Sequence, residues 1–124
     1  MSYFTRALEE LKPNSEWAVT GDQYSRLTWL DKNQTKPTEE EINTKIAELQ
    51  AAEPMKLLRE ERNKRIAETD WTQLKDIDLD IIRERNWKNY RQALRDLPAK
   101  SNPKLNEYGD LDMTSVSWPD KPST

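Results

Sequence analysis

The sequence predicts an α+β fold: an N-terminal β-hairpin with a short helix, followed by long helices and an extended C-terminal tail. Three observations predict it. Two short alternating apolar runs flank Gly21-Asp22; apolar residues recur at helical spacing from Ile42 and again from Trp87; and three prolines follow Pro98 in a stretch with little apolar content. The predicted organisation is a hairpin-plus-helix module at 1–53, a helix–connector–helix module at 54–98 and a proline-containing tail at 99–124.

The first element is a short helix. Phe4, Leu8 and Leu11 stand at i, i+4, i+7, and Pro13 stops the run. EWAVT then alternates Trp17 and Val19 against polar neighbours. YSRLTWL alternates again, with Leu27 and Trp29 on one face and Tyr24 and Leu30 on the other. Two such runs around Gly-Asp predict a hairpin whose inner face, Trp17 and Trp29, rests on a helix. Thr38 followed by Glu41 is a capping box, and Ile42, Ile46 and Leu49 form the stripe of the helix it opens. Pro54 is expected to end or kink that helix. MKLLREERNKRIAE resumes a helical pattern, but REERNKR offers no apolar stripe, so this part is expected to project into solvent or span to something else. Asp70 is placed to cap the amides after it, in a connector over 70–79. A third helix begins near Asp80, carries Trp87, Tyr90, Leu94 and Leu97 at core spacing, and stops at Pro98. Arg91 and Arg95 read as solvated on its other side, a salt bridge across an interface being the second reading. In the tail only VSW, residues 116–118, has strand character.

Composition narrows the function. In a chain of 124 residues, 34% are hydrophobic and 35% charged, so the core must be thin and stability is expected to draw on a partner or on self-association. Cys and His are absent and the two glycines are far apart. Thiol chemistry, His bases, metal sites with N or S ligands and Gly-rich phosphate loops are thereby excluded, and the sequence predicts neither an enzyme nor a cofactor. Net charge is −3, made of −4 over residues 1–54, +2 over 55–97 and −1 over 98–124. The middle segment interleaves 11 basic with 9 acidic residues, the pattern of a solvated helix face and not of a nucleic-acid surface. No apolar run exceeds three residues and MSYFTRALEELK lacks the apolar core of a signal peptide. The expectation is a protein that remains inside the cell that makes it, without a membrane or a small-molecule substrate as partner.

Two motifs are specific: AETDWTQL at 67–74 and WKNYRQALRDLP at 87–98. Together they resemble the C-terminal half of small phage tail proteins known as tail assembly chaperones, which share a charged helix, a DWTQL connector and a helix ending in a YRQALRDLP-like run. TSVSWPDKP at 114–122 is similar to the Trp-Pro segment in which members of that family end. The upstream stretch, YSRLTWLDKNQTKPTEEEINTKIAELQA, looks like a second phage-associated module. Lys75 stands where the family usually has proline, and NPKLNEYGDLD lengthens the tail before the Trp-Pro pair.

The resemblance implies a tail-fibre assembly chaperone. It would bind the C-terminal, distal region of a trimeric fibre protein, one copy per fibre chain, and assist folding and trimerisation without ATP in the host cytoplasm. The alternative it leaves open is a minor structural tail, baseplate or fibre-tip protein retained in the virion. The candidate partner-binding residues are Trp71, Leu74, Trp87, Tyr90, Val116 and Trp118. Each has a second reading. Trp71 and Leu74 either pin the helix–connector–helix turn or contact the partner. Trp87 and Tyr90 have the spacing of a core face. Val116 and Trp118 suit a strand added to a partner's sheet edge.

Overall fold

The computed structural model describes residues 2–123. Its order is α1 (Tyr3–Leu11), β1 (Trp17–Val19), β2 (Leu27–Trp29), α2 (Glu39–Ala67) and α3 (Ile81–Asp96), with short 3-10 turns at Tyr24–Arg26, Asp70–Gln73, Pro98–Lys100 and Met113–Ser115. The fold is mixed α+β and mostly helical. The chain divides into two compact units, Met1–Glu53 and Pro54–Thr124.

In the first unit, Ser2 caps α1 by accepting from the Thr5 amide at 3.2 Å. The helix then buries Phe4, Ala7 and Leu8, one face at i, i+3, i+4. β1 and β2 pair antiparallel in the register Trp17↔Trp29, Ala18↔Thr28, Val19↔Leu27. Trp17, Val19, Leu27 and Trp29 therefore share the face that packs with Phe4, Leu8 and Ile42. Ala18 and Thr28 point to solvent.

The second strand is shorter than its alternation predicts. Tyr24–Arg26 is a 3-10 turn, because Gly21 (φ 69°) and Asp22 (φ 55°) take the left-handed region and the chain needs several more residues to come back into register. Tyr24 consequently packs on the same core as Leu27 instead of facing away from it, and its hydroxyl donates to the Pro37 carbonyl at 2.9 Å. Trp29 Nε1 donates to the Gln34 carbonyl at 2.8 Å, so the hairpin is tied to the segment that leads into α2.

The start of α2 is the capping box its sequence spells. The Glu41 amide donates to Thr38 Oγ1 (3.1 Å) and the Thr38 amide to Glu41 Oε1 (3.2 Å). Three glutamates occupy the first turn, where the helix dipole favours negative charge. Pro54 does not end this helix, which runs on to Ala67. A proline removes one intrahelical donor. Good helix formers on both sides, AELQAA and MKLL, and the full burial of Leu58 outweigh that loss.

The second unit has two apolar clusters. Leu58, Leu97 and Val116 form one, joined by Met55, Leu111 and Trp118; Trp87, Tyr90 and Leu94 form the other, joined by Ile66, Trp71, Leu79 and Trp118. The charged half of α2 leaves Arg59, Glu60, Asn63 and Lys64 exposed, as its missing stripe suggests, but its Arg65 side is covered. The guanidinium of Arg65 lies 4.1 Å from the centre of the Trp118 ring and is held from behind by Glu61 at 3.1 Å. Arginine covers the indole that an apolar stripe would otherwise cover. The tail is irregular, with one bridge between Leu105 and Leu111. Residues 116–118 form no strand within the chain. Val116 is instead buried among the helices, and Trp118 touches both clusters.

Two measurements test this packing. Leu8→Ala is expected to lower stability by about 2–5 kcal/mol, read as a shift of the urea midpoint of tryptophan fluorescence. The carboxyls of Asp31 and Asp112 should titrate below the ordinary aspartate value in a carboxyl NMR titration. Asp31 is held down by the amides of Asn33 and Gln34 and by that of Glu16; Asp112 is held down by the hydroxyl and amide of Thr114, with Lys104 adding to the effect. A depressed folded value means that each contribution is complete above the ordinary aspartate value and is lost as pH falls through the lowered one.

Candidate functional site

The site is built on how α2 ends. A helix leaves its last carbonyls without amide partners. Here the Ile66 carbonyl receives the Thr69 amide (2.9 Å) and the Thr69 hydroxyl (2.7 Å), and the Thr69 carbonyl receives the Thr72 amide (3.0 Å) and hydroxyl (2.7 Å). The two threonines of AETDWTQL thus repeat one device three residues apart, turning the chain out of α2 through the 3-10 turn at 70–73. Both are buried, Thr69 at 1% exposure and Thr72 at 8%, so every hydroxyl bond is made away from water.

Arg91, on α3, fastens that turn. Its Nη1 lies 2.7 Å from Thr69 Oγ1, 3.0 Å from Asp70 Oδ1 and 3.4 Å from the Ile66 carbonyl. The sequence reading of Arg91 as a solvated residue is overturned: its side chain is 15% exposed, because the open end of α2 gathers three acceptors at one point. Asp70 does not cap the amides after it. Its carboxylate is taken by Arg91, and no side-chain cap bond opens the 3-10 turn. The cap of α3 is Asp80, which accepts the Arg83 amide at 2.8 Å.

With the turn held, Trp71 falls on Trp87. Their rings meet edge to face at 5.3 Å and 74°, and Trp87 meets Tyr90 at 6.0 Å and 78°. Trp71 is half-buried. Trp87 and Tyr90 are almost fully buried, at 1% and 6%, and so is Val116 at 7%. These three sit inside the chain, and Trp71, Trp87 and Tyr90 are brought together in one aromatic stack. Trp118 adjoins that stack from the tail. The Trp87 and Trp118 Nε1–H groups are buried without an acceptor among the described residues, so no hydrogen bond from either indole fixes it in place.

Leu74 is different: it is 62% exposed. Ile77, Ile81 and Ile82 follow at 38%, 72% and 68%, so four of the seven exposed large apolar residues among those described fall between residues 74 and 82. The sequence reading missed Ile77 by treating 70–79 as a plain connector, and did not single out Ile81 and Ile82 at the start of the third helix. The signal was there, since LKDIDLDII sets apolar residues between aspartates with no helical stripe to absorb them. Beside them opens a groove of about 540 Å³ between the connector and one side of α3, with Trp87 in its lining and Lys75, Lys88, Arg91 and Arg95 around it. This lining offers apolar contact from Leu74 and Ile77 and positive charge from its lysines and arginines.

An exposed apolar connector thus follows a buried hydrogen-bonded turn. The family model described as phage tail assembly chaperone protein matches residues 55–123, more than half of the chain, so the chain belongs to the phage tail assembly chaperone family. The match takes in most of the second unit and leaves the first outside it. No curated protein and no solved structure matches the chain. Among the described residues no helix is long and apolar enough to cross a membrane.

Arg91 is expected to matter more through the helix end than through its ion pair. Arg91→Met should cost about 1–3 kcal/mol by taking the donor from the hydroxyl oxygen of the buried Thr69 side chain. Asp70→Asn should cost well under about 1 kcal/mol, because that carboxylate is 66% exposed. Urea midpoints of the two variants read the difference directly.

Proposed function

We propose that this chain is a tail-fibre assembly chaperone. It binds the C-terminal, distal region of a trimeric fibre protein, one copy per fibre chain, and covers apolar edges until folding and trimerisation are complete. The observation that carries this reading is the set of exposed apolar side chains Leu74, Ile77, Ile81 and Ile82, on the connector and the start of α3, within the family-matched region. Surfaces of this kind mark protein contacts. Fibre trimers are slow-folding β structures, and unpaired edges on them invite wrong pairing, which a bound cover prevents. Binding alone supplies the mechanism: no catalytic step, cofactor or ATP enters it, and the work is done in the host cytoplasm during assembly. Trp71, Trp87 and Tyr90 act from behind, fixing the direction of the connector, while Leu74 makes direct contact. Val116 and Trp118 support the same unit from the tail.

Co-expression of the chain with a candidate fibre protein from the same genome tests the reading by soluble trimer yield and complex mass. The trimer should be recovered only with the chain present, in a defined complex. Leu74→Asp together with Ile81→Asp should abolish that complex and leave the circular dichroism of the chain unchanged, because both positions are exposed. A fibre that trimerises equally well alone, with no complex, ends the chaperone reading, and recovery of the chain in stoichiometric amounts from purified virions would then establish a structural tail component.

A further inference from the structure

The groove beside the connector has a charge that the rest of the chain does not. Four of its lining residues are basic, Lys75, Lys88, Arg91 and Arg95, and one, Glu84, is acidic. Arg91 is committed to Asp70 at 3.0 Å. None of the ion pairs among the described residues involves Lys75, Lys88 or Arg95; the Arg95 guanidinium rests on the neutral oxygen of Gln92. Three unpaired cations therefore face one carboxylate, in a chain whose net charge is −3. Leu74 and Ile77 line the same groove and are exposed.

On this basis we propose that the groove takes an extended, acidic segment of the partner protein. Its carboxylates lie on Lys75, Lys88 and Arg95, and an apolar side chain between them lies on Leu74 and Ile77. The proposal rests on the chaperone reading and names what the partner must present. Volume supports a peptide: about 540 Å³ admits a few side chains and not a folded domain. Charge gives the register and the encounter rate, and the apolar contact supplies the hold. A nucleic acid fits less well, because its backbone offers no aliphatic side chain to lie on Leu74 and Ile77 between its charges.

Overlapping short peptides tiling a candidate fibre protein, titrated against the full chain by fluorescence anisotropy, decide the matter. The peptides retained should be net acidic with an interspersed apolar residue, and should weaken steeply as salt is raised. Lys75→Glu with Lys88→Glu should reduce their binding by about tenfold or more, whereas the same reversal at Lys32 and Lys56 should leave it unchanged. Single-stranded DNA should neither bind nor compete. The inference is overturned if the retained peptides are neutral or basic, if the groove reversal binds them as wild type does, or if the oligonucleotide displaces them. A groove variant that still carries the intact fibre trimer as a complex, or a wild-type chain that carries it while retaining no peptide, sinks the groove assignment alone and leaves the chaperone reading standing. Loss of the trimer complex from the wild-type chain sinks both.

Discussion

One guanidinium nitrogen settles where the second half of the molecule points. α2 ends at Ala67, Thr69 turns back to its Ile66 carbonyl, and Arg91 Nη1 arrives from α3 to meet that carbonyl, the hydroxyl of Thr69 and the carboxylate of Asp70 within 3.4 Å. Everything downstream is referred to that point. The connector leaves α2 in a fixed direction, Trp71 is delivered onto Trp87, and Leu74 and Ile77 are left outside. Were the turn held only by apolar contact, Trp71 would have several comparable ways to bury itself. Directional bonds to buried acceptors remove that choice, since a partly satisfied arrangement costs more than an open one.

A polar chain has little apolar material to spend, and this one substitutes charged side chains for part of its core. Arg65 lies on the Trp118 ring with Glu61 behind it, and Arg6, on the first unit's α1, is held at 3.2 Å by Glu53 and lies against the Tyr3 ring at 5.1 Å. The stems of these arginines exclude water from aromatic faces while the heads stay paired. The arrangement leaves leucine and isoleucine free for the outer surface of the connector. In a chain that binds a partner, that is where they are useful.

The sequence carried most of the architecture and less of the site. Periodicity located α1, the hairpin, the capping box at Thr38 and the buried face of α3, because each is a local pattern of burial or capping. It allowed Pro54 to end the helix, which instead runs on to Ala67, and misplaced Tyr24, since two left-handed residues lengthen the turn between the strands. It also took Arg65 and Arg91 for solvated groups. Their partners, Trp118 and the end of α2, are far away in sequence, and no periodicity reports a guanidinium on an indole. The DWTQL motif was recognisable as a motif. Its threonine hydroxyl bonds, which explain why those residues occur there, became visible only with the helix end in place.

Val116 is buried among Leu58 and Leu97, and Trp118 touches both clusters of the second unit, although both belong to a tail with almost no regular structure. Synthesis runs from the N-terminus, so α2 and α3 are complete before either residue exists. During that interval the nascent unit has all its helices and an open seam along Leu58, Leu97 and Ile66. The closing contacts span nearly the whole of the unit in sequence, and pairings of that kind are slow to form. The tail therefore supplies the last side chains of the seam, since Val116 and Trp118 follow both helices in the chain.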